Sequence, residues 1–461
     1  MPNEKKPVKS QKQVRAMLDS ALSRLAPSAA ERERQLATAA KAMSLVSKVV
    51  PNHIEVALTG SSAKGTSLSG STDIDIFMLF PLSYPKHELS YLGLAYAKRA
   101  FAGKKTEIGY ANHPYLRAWL GNYKIDVVPS YKISDASELS SAVDRSPLHT
   151  RYVNSRLSPA QKNDVLLLKA FAKALGVYGA EAKVEGFSGY LCELLIIKYG
   201  SFMGALEAAS DWNAPAFEIE RRHGPEKLRE MFPNAPMIAI DPVDPNRNVS
   251  AVVSTTSLYR FAYAARQFLS APSMKFFFAP RTGAMPKARL EGIIRSRGTA
   301  IIAIETASPD VVNDILWPQL KKTTLAIEAH LEKHGFAPFG HYFYSDNKTC
   351  LILIECKHGF APAVRKAIGP AVHLKKACND FARKHRSSYD LHIEHDRMVS
   401  IEPTMYTTAW QALEGFVASP EGQGVPANFA TLLGQAKKVG INKLLSDKYT
   451  FVASDYFTRK L

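Results

Sequence analysis

Apolar residues recur first at helical spacing and then in alternation. Val14, Met17, Leu18, Ala21, Leu22 and Leu25 fall every three or four positions, predicting an amphipathic helix, and Ser28-Ala29-Ala30-Glu31 has the capping-box form that opens a second. A strand is predicted over residues 54–59, then a Gly60-Ser61 turn, then an apolar strand headed by Asp73 and Asp75. Residues 88–102 read as a helix. Short alternating runs over 106–111, 115–120 and 123–129 follow, separated by Asn-His-Pro and Gly-Asn turn signals. From Ser140 the period turns helical: a helix over 160–175 ended by Gly176, a buried helix after Gly189, and an amphipathic one over 258–269. Between the last two lie a short strand, 237–241, and a turn-rich stretch, 242–249.

PSMKFFFAP closes this region, and a domain boundary is expected over 280–286. Beyond Gly298 come a strand (299–305), a helix (311–334), two strands (336–344 and 350–356), a helix (374–384) and a hairpin (389–402). Pro318 either kinks the first of these helices or marks its true first turn. The β-α-β-β order suggests a ferredoxin-like α+β sandwich, and residues 406–461 read as helices without assigned chemistry. The fold class is therefore α+β and multidomain. A length of 461 residues suits about three domains. We divide them as 1–140 (catalytic), 141–285 (helical, central) and 286–461, the last into an α+β part (298–402) and a helical tail (403–461).

Charge narrows the partner. With 59 Lys+Arg against 42 Asp+Glu the formal net charge is +17, which favours a polyanion such as nucleic acid. No apolar run approaches the ~20 residues of a spanning helix, and MPNEKKPVKSQKQVR lacks a signal-peptide core, so a cytoplasmic protein with a flexible lysine-rich tip is expected. Cys192, Cys350, Cys356 and Cys378 show no Cys-x-x-Cys spacing and suggest neither a zinc site nor a disulfide framework.

The candidate chemistry lies in carboxylates. Asp73 and Asp75 alternate with Ile74 and Ile76, so a strand projects both acids to one face, where they repel unless a cation lies between them. Mg2+ takes oxygen ligands and leaves positions for phosphates. The Gly60-Ser61 turn would offer N–H groups to such phosphates. An Asp-x-Asp pair alone is common, but KIDVVPS supplies a third acid, Asp126, alone in an apolar stretch where an unpartnered charge is costly. Three converging carboxylates suit two-metal phosphoryl transfer.

With these residues assembled, the chain resembles the polymerase-beta-like nucleotidyltransferases. The blocks GSSAKGTSLSGSTDIDIFMLF, IDVVPSYK, SAVDRSPLHTRYV, LLLKAFAKALGVYGAEAKVEGFSGYLCELLIIKYGSF and DPVDPNRNVSA resemble, in order, the archaeal-type (class I) CCA-adding enzymes. The resemblance implies that Asp73, Asp75 and Asp126 are catalytic and metal-binding. It further implies that Ser61, Lys64, His149, Lys169 and Tyr178 contact the nucleotide, mostly its triphosphate and sugar, and that Arg247 reaches the base. Judged by residue type alone, Lys169 would be a solvated lysine, and Tyr190 and Cys192 packing residues. Two positions depart from the family pattern: Lys64 stands where Arg is frequent, keeping charge but not the bidentate fork, and Asp73 where Glu is frequent.

The implied activity is template-independent addition and repair of the 3′-terminal CCA of tRNA from CTP and ATP, with Mg2+ as cofactor. A homodimer is implied too. The basic pairs Lys321-Lys322, Arg365-Lys366, Lys375-Lys376 and Arg383-Lys384 either meet a phosphate backbone or are merely solvated faces. The alternatives are a poly(A)-adding or oligoadenylate-forming relative, and a catalytically silent RNA-binding relative.

Overall fold

A computed structural model describes residues 10–110, 113–278 and 285–458. The lysine-rich tip (1–9), the last residue of the strand expected over 106–111, Asn112 of its turn, and most of the expected boundary at 280–286 lie outside the described residues. Contacts divide the chain into two compact units, Met1–Pro280 and Arg281–Leu461.

The first unit opens with α1 (Gln11–Leu25) and α2 (Ala29–Ser47). Ser28 Oγ caps α2 by accepting from the Glu31 N–H, while the Glu31 carboxylate accepts from Gly70 N–H at 2.6 Å and Ser69 Oγ at 2.9 Å, pinning the loop ahead of Asp73. There follow β1 (Glu55–Thr59), α3 (Gly60–Lys64), β2 (Asp73–Phe80), α4 (Lys86–Ala100), β3 (Thr106–Tyr110), β4 (Pro114–Leu120) and β5 (Tyr123–Tyr131). The strands form one sheet in the order β1-β2-β5-β4-β3, with β2 and β5 parallel. Alternation decides its faces. Ile74, Ile76, Met78 and Phe80 join Ala39, Ala42 and Val46 of α2 and Leu89 and Ala97 of α4 in one core, leaving Asp73 and Asp75 on the opposite face.

The helical part comprises α5 (Arg145–Arg156), α6 (Pro159–Ala174), α7 (Gly189–Tyr199), α8 (Phe202–Ser210), β6 (Ala216–Phe217), α9 (Pro225–Met231), β7 (Ile238–Asp241), β8 (Asp244–Asn248) and α10 (Thr255–Ser270). Its core gathers Phe171, Phe187, Phe202, Phe261, Phe268 and Phe277, and burying each such ring is worth about 1.5–3 kcal/mol. Met17, Ala21 and Leu25 of α1 pack into this core, although α1 precedes the sheet in sequence. The stretch expected to be irregular over 242–249 is mostly strand, β8, which pairs back on β7.

The second unit runs α11 (Lys287–Arg297), β9 (Ala300–Ala307), α12 (Asn313–Lys333), β10 (Pro338–Ser345), β11 (Thr349–Cys356), β12 (Val364–Ala371), α13 (Lys375–Lys384), β13 (Asp390–Glu394), β14 (Arg397–Pro403), α14 (Ala409–Ala418), α15 (Ala427–Leu433), β15 (Lys437–Lys438), α16 (Ile441–Leu444) and α17 (Thr450–Phe457). Its larger sheet has the order β10-β11-β9-β15, every pairing antiparallel, which is the ferredoxin-like strand order. The fourth strand comes from the tail expected to be all helix. Glu305 of β9 binds Lys443, Lys448 and Tyr449 there, and Glu355 of β11 binds Tyr456. Pro318 lies inside α12 without ending it, flanked by the buried Leu316, Trp317 and Leu320. A strand missing from the expectation, β12, pairs with β14, and Arg365 and Lys366 on it are ion-paired to Glu402 and Glu394.

Candidate active site

One row of side chains crosses the first sheet. Register pairs Thr59 with Asp75, Asp75 with Asp126, Asp126 with Arg117, and Arg117 with Glu107. Strands lie ~4.8 Å apart, so the two aspartates are immediate neighbours. Gly60 makes room for them: its φ is +71° and a Cβ there would stand 2.0 Å from Asp75 Oδ2. Burial, and then the charges of Asp126 and Asp73, push the Asp75 carboxyl up to about 6. Arg117 forks both oxygens of Asp126 at 2.8 and 2.9 Å and reaches Glu107 at 3.0 Å, while Lys124 holds Asp73 at 2.6 Å.

With Asp73 and Asp126 turned onto these cations, no group of three or more acid, His or Cys side chains among the described residues is gathered closely enough to hold a metal ion. The donor set nonetheless fits a hard divalent cation. It offers only carboxylate oxygens on one face, and a cation there would offset both the burial and the neighbouring carboxylate charges that raise the Asp75 carboxyl.

Above the sheet lies a buried cluster of mostly positive charge. Glu193 of α7, fully buried, accepts from Lys64 Nζ at 2.5 Å, Thr66 Oγ1 at 2.6 Å and Lys169 Nζ at 3.1 Å. Lys169 also donates to the Thr66 carbonyl at 3.0 Å. Burial alone would raise the Glu193 carboxyl, but Lys169 and Lys64 pull it down to about 2. Burial holds Lys64 below the usual lysine range, and Glu193 opposes that. Two ammonium groups on one carboxylate leave a net positive charge ready for an anion. Tyr178 joins them: its hydroxyl and Lys169 Nζ lie 3.1 and 3.4 Å from where a Cβ on Gly189 would stand.

A second buried carboxylate, Asp241 at the end of β7, gathers another group. Its Oδ2 accepts from His149 Nε2 and Arg247 Nη1, both at 2.8 Å, and its Oδ1 from Tyr190 Oη at 3.0 Å and Val243 N–H at 3.1 Å. Burial lowers the His149 pKa in spite of the hydrogen bond to Asp241. Because a carboxylate only accepts, Nε2 carries a proton toward Asp241. Tyr190 connects the clusters, stacking on His149 with centroids 3.9 Å apart and lying 5.7 Å from Lys64 Nζ.

Three family models match the chain in sequence. Residues 40–149 match a nucleotidyltransferase domain, 163–278 the second domain of tRNA nucleotidyltransferase, and 297–429 the C-terminal domain of CCA-adding enzyme. The chain is 40% identical over 371 residues to the CCA-adding enzyme of Methanothermobacter thermautotrophicus, covering 80% of each chain. The chain belongs to the CCA-adding enzyme family. Other relatives are the CCA-adding enzymes of Archaeoglobus fulgidus, 36% identical over 79% of this chain and 82% of that one, and of Haloarcula marismortui, 33% identical over 89% and 91%. A poly(A)-adding or oligoadenylate-forming activity is not favoured by this kinship.

In this CCA-adding family member the residues expected from sequence fall into three groups of one unit. Asp73, Asp75 and Asp126 share a sheet face; Lys64, Lys169 and Tyr178 surround Glu193; His149 and Arg247 share Asp241. Ser61 lies on α3, half-buried, its carbonyl accepting from Thr66 N–H. Lys169 is buried, not solvated. Sequence reasoning passed over Glu193, Asp241, Arg117 and the role of Tyr190. Glu193 carried the same signal as Asp126, a lone acid in an apolar run, LCELLII. Arg117, a lone cation in an alternating strand, carried its mirror image. No helix among the described residues is long and apolar enough to cross a membrane.

Proposed function

We propose that this chain builds and repairs the 3′-terminal CCA of tRNA, taking CTP and ATP in turn without a nucleic-acid template. The observation that carries this reading is the in-register pair Asp75–Asp126 beside two buried lysines that share one carboxylate, in a chain whose relatives are CCA-adding enzymes. Asp73, Asp75 and Asp126 would hold Mg2+, which when bound supplies charge neutralisation at the transferred phosphoryl group. Ser61, Lys64, His149, Lys169 and Tyr178 bind the nucleotide, mostly its triphosphate and sugar, and Arg247 faces the base.

The tRNA 3′-hydroxyl forms the new bond to the α-phosphorus in line, the bond to pyrophosphate breaks, and Asp126 is assigned the hydroxyl proton. Holding the two oxygens in line and neutralising charge account for most of the rate. Residues 1–140 carry the carboxylates together with Ser61 and Lys64, 141–285 the other nucleotide contacts, and 286–461 grip the acceptor end largely by phosphate contacts and A-form shape. A cytoplasmic homodimer completes the reading. Asp75→Ala should abolish nucleotide incorporation while leaving tRNA retention in a filter-binding assay within about twofold; undiminished incorporation would remove the metal assignment.

A further inference from the structure

Asp241 has no assigned role in the proposed reaction, yet its surroundings are unusually complete. It is wholly buried at the end of a buried strand, and its four acceptor positions are filled from α5 (His149), α7 (Tyr190), β8 (Arg247) and its own turn (Val243). With the His149 side chain 13% exposed, Arg247 reaches further outward. Its side chain is 35% exposed, Nη1 is tied to Asp241, and the remaining guanidinium N–H groups have no other partner among the described residues.

We propose that Asp241 is a positioning residue for base selection, fixing the guanidinium of Arg247, and the imidazole of His149 beside it, in one orientation toward the incoming nucleotide. This rests on the reading above that Arg247 faces the base. The chemistry of the four bases gives the anchor its value. Cytosine N3 and adenine N1 are unprotonated acceptors on the Watson–Crick edge, whereas uracil N3 and guanine N1 carry hydrogens. A guanidinium has only donors, so it accepts the first pair and opposes N–H to N–H with the second.

Such a filter works only if the donor cannot swing aside. A free arginine samples many rotamers, and that freedom is lost when it meets a base. Tying Nη1 to a buried carboxylate that is itself held by a tyrosine hydroxyl and a backbone N–H removes that freedom before the nucleotide arrives. His149 shares Oδ2 with Arg247, so movement of one disturbs the other.

The test compares kcat/KM for CTP and for UTP on tRNA lacking CCA, for the wild type, Asp241→Asn, Arg247→Ala and the double variant. A purely structural defect lowers both nucleotides together. The expected result is that Asp241→Asn narrows the CTP:UTP ratio by about tenfold or more, and that the double variant discriminates no worse than Arg247→Ala alone. Tyr190→Phe, which removes one bond to Oδ1, should narrow the ratio less. An unchanged ratio in Asp241→Asn, or losses that add fully in the double variant, would overturn the proposal. If Asp241→Asn does not fold, Asp241→Glu keeps the charge and displaces the anchor by one methylene, and an unchanged ratio there overturns it equally. Failure of Arg247→Ala to alter the ratio would instead sink the reading that Arg247 faces the base, and the proposal with it.

Discussion

Replacing Glu193 by Gln isolates what one buried carboxylate does for two buried ammonium groups. Glu193 is fully buried, and the side chains of Lys64 and Lys169 are 8% and 3% exposed, so solvent screens little of the interaction. Removing one partner of a buried pair costs about 3–5 kcal/mol, and a domain of this size shifts by ~2–4 °C per kcal/mol, giving a loss of roughly 6–20 °C at neutral pH. The pH dependence has a definite sign. In the wild type the Glu193 carboxyl is held at about 2, below its ordinary value near 4.5, so its stabilisation is full above 4.5 and is lost as pH falls toward 2.

In the variant, Lys64 keeps the burial that lowers its pKa and loses the Glu193 charge that opposes it, while Lys169 still repels and Asp75 still attracts. A lysine with a depressed pKa makes the unfolded chain the better proton binder, so the variant gains stability on the wild type as pH rises toward the ordinary lysine value. Nucleotide affinity moves the other way, because deprotonation removes the charge that meets the triphosphate. KM for CTP should rise about 10–100-fold at neutral pH and, as pH is raised, begin its further climb at a lower pH than in the wild type. Thermal denaturation and steady-state kinetics between pH 6 and about 9.5 read both. A melting shift below ~2 °C, or parallel pH profiles, would refute the view that Glu193 organises these lysines.

Gly60→Ala would put a methyl group 2.0 Å from Asp75 Oδ2 at a φ of +71°, and incorporation should fall by about 100-fold or more with tRNA retention preserved; a smaller loss would mean that the Asp75 carboxylate need not lie against α3. Arg117→Ala should cost about 1–2 kcal/mol in metal-free protein, and Mg2+ should stabilise the variant more than the wild type by thermal shift, since Asp126 no longer has to leave the guanidinium; equal shifts would contradict this. Truncation after Ala436 removes β15 together with Val439, Leu444, Tyr449, Val452 and Phe457 from the core of the second unit, and should abolish its cooperative unfolding in calorimetry.

Periodicity located the elements of the first sheet to within a few residues, because β4 alternates and β2 and β5 run on as buried apolar stretches. Asp126 was legible as a lone charge among apolar neighbours, and register then set it beside Asp75. The same logic extends to Glu193 and Asp241, but their roles depend on partners 129 and 92 positions away in sequence, which no local pattern encodes. β15 was invisible for a different reason: two lysines at a sheet edge have no apolar alternation, and only pairing with Ile304 and Glu305 makes them a strand. Arg365 and Lys366 looked like a phosphate grip, yet cross-strand acids already engage them.

The central claim is tested most directly by length-resolved extension of a tRNA that ends just before CCA, supplied with CTP alone, ATP alone, or both. The account predicts two added residues with CTP alone, none with ATP alone, and three followed by arrest with both. A ladder of added residues with ATP alone, growing without arrest, would contradict it.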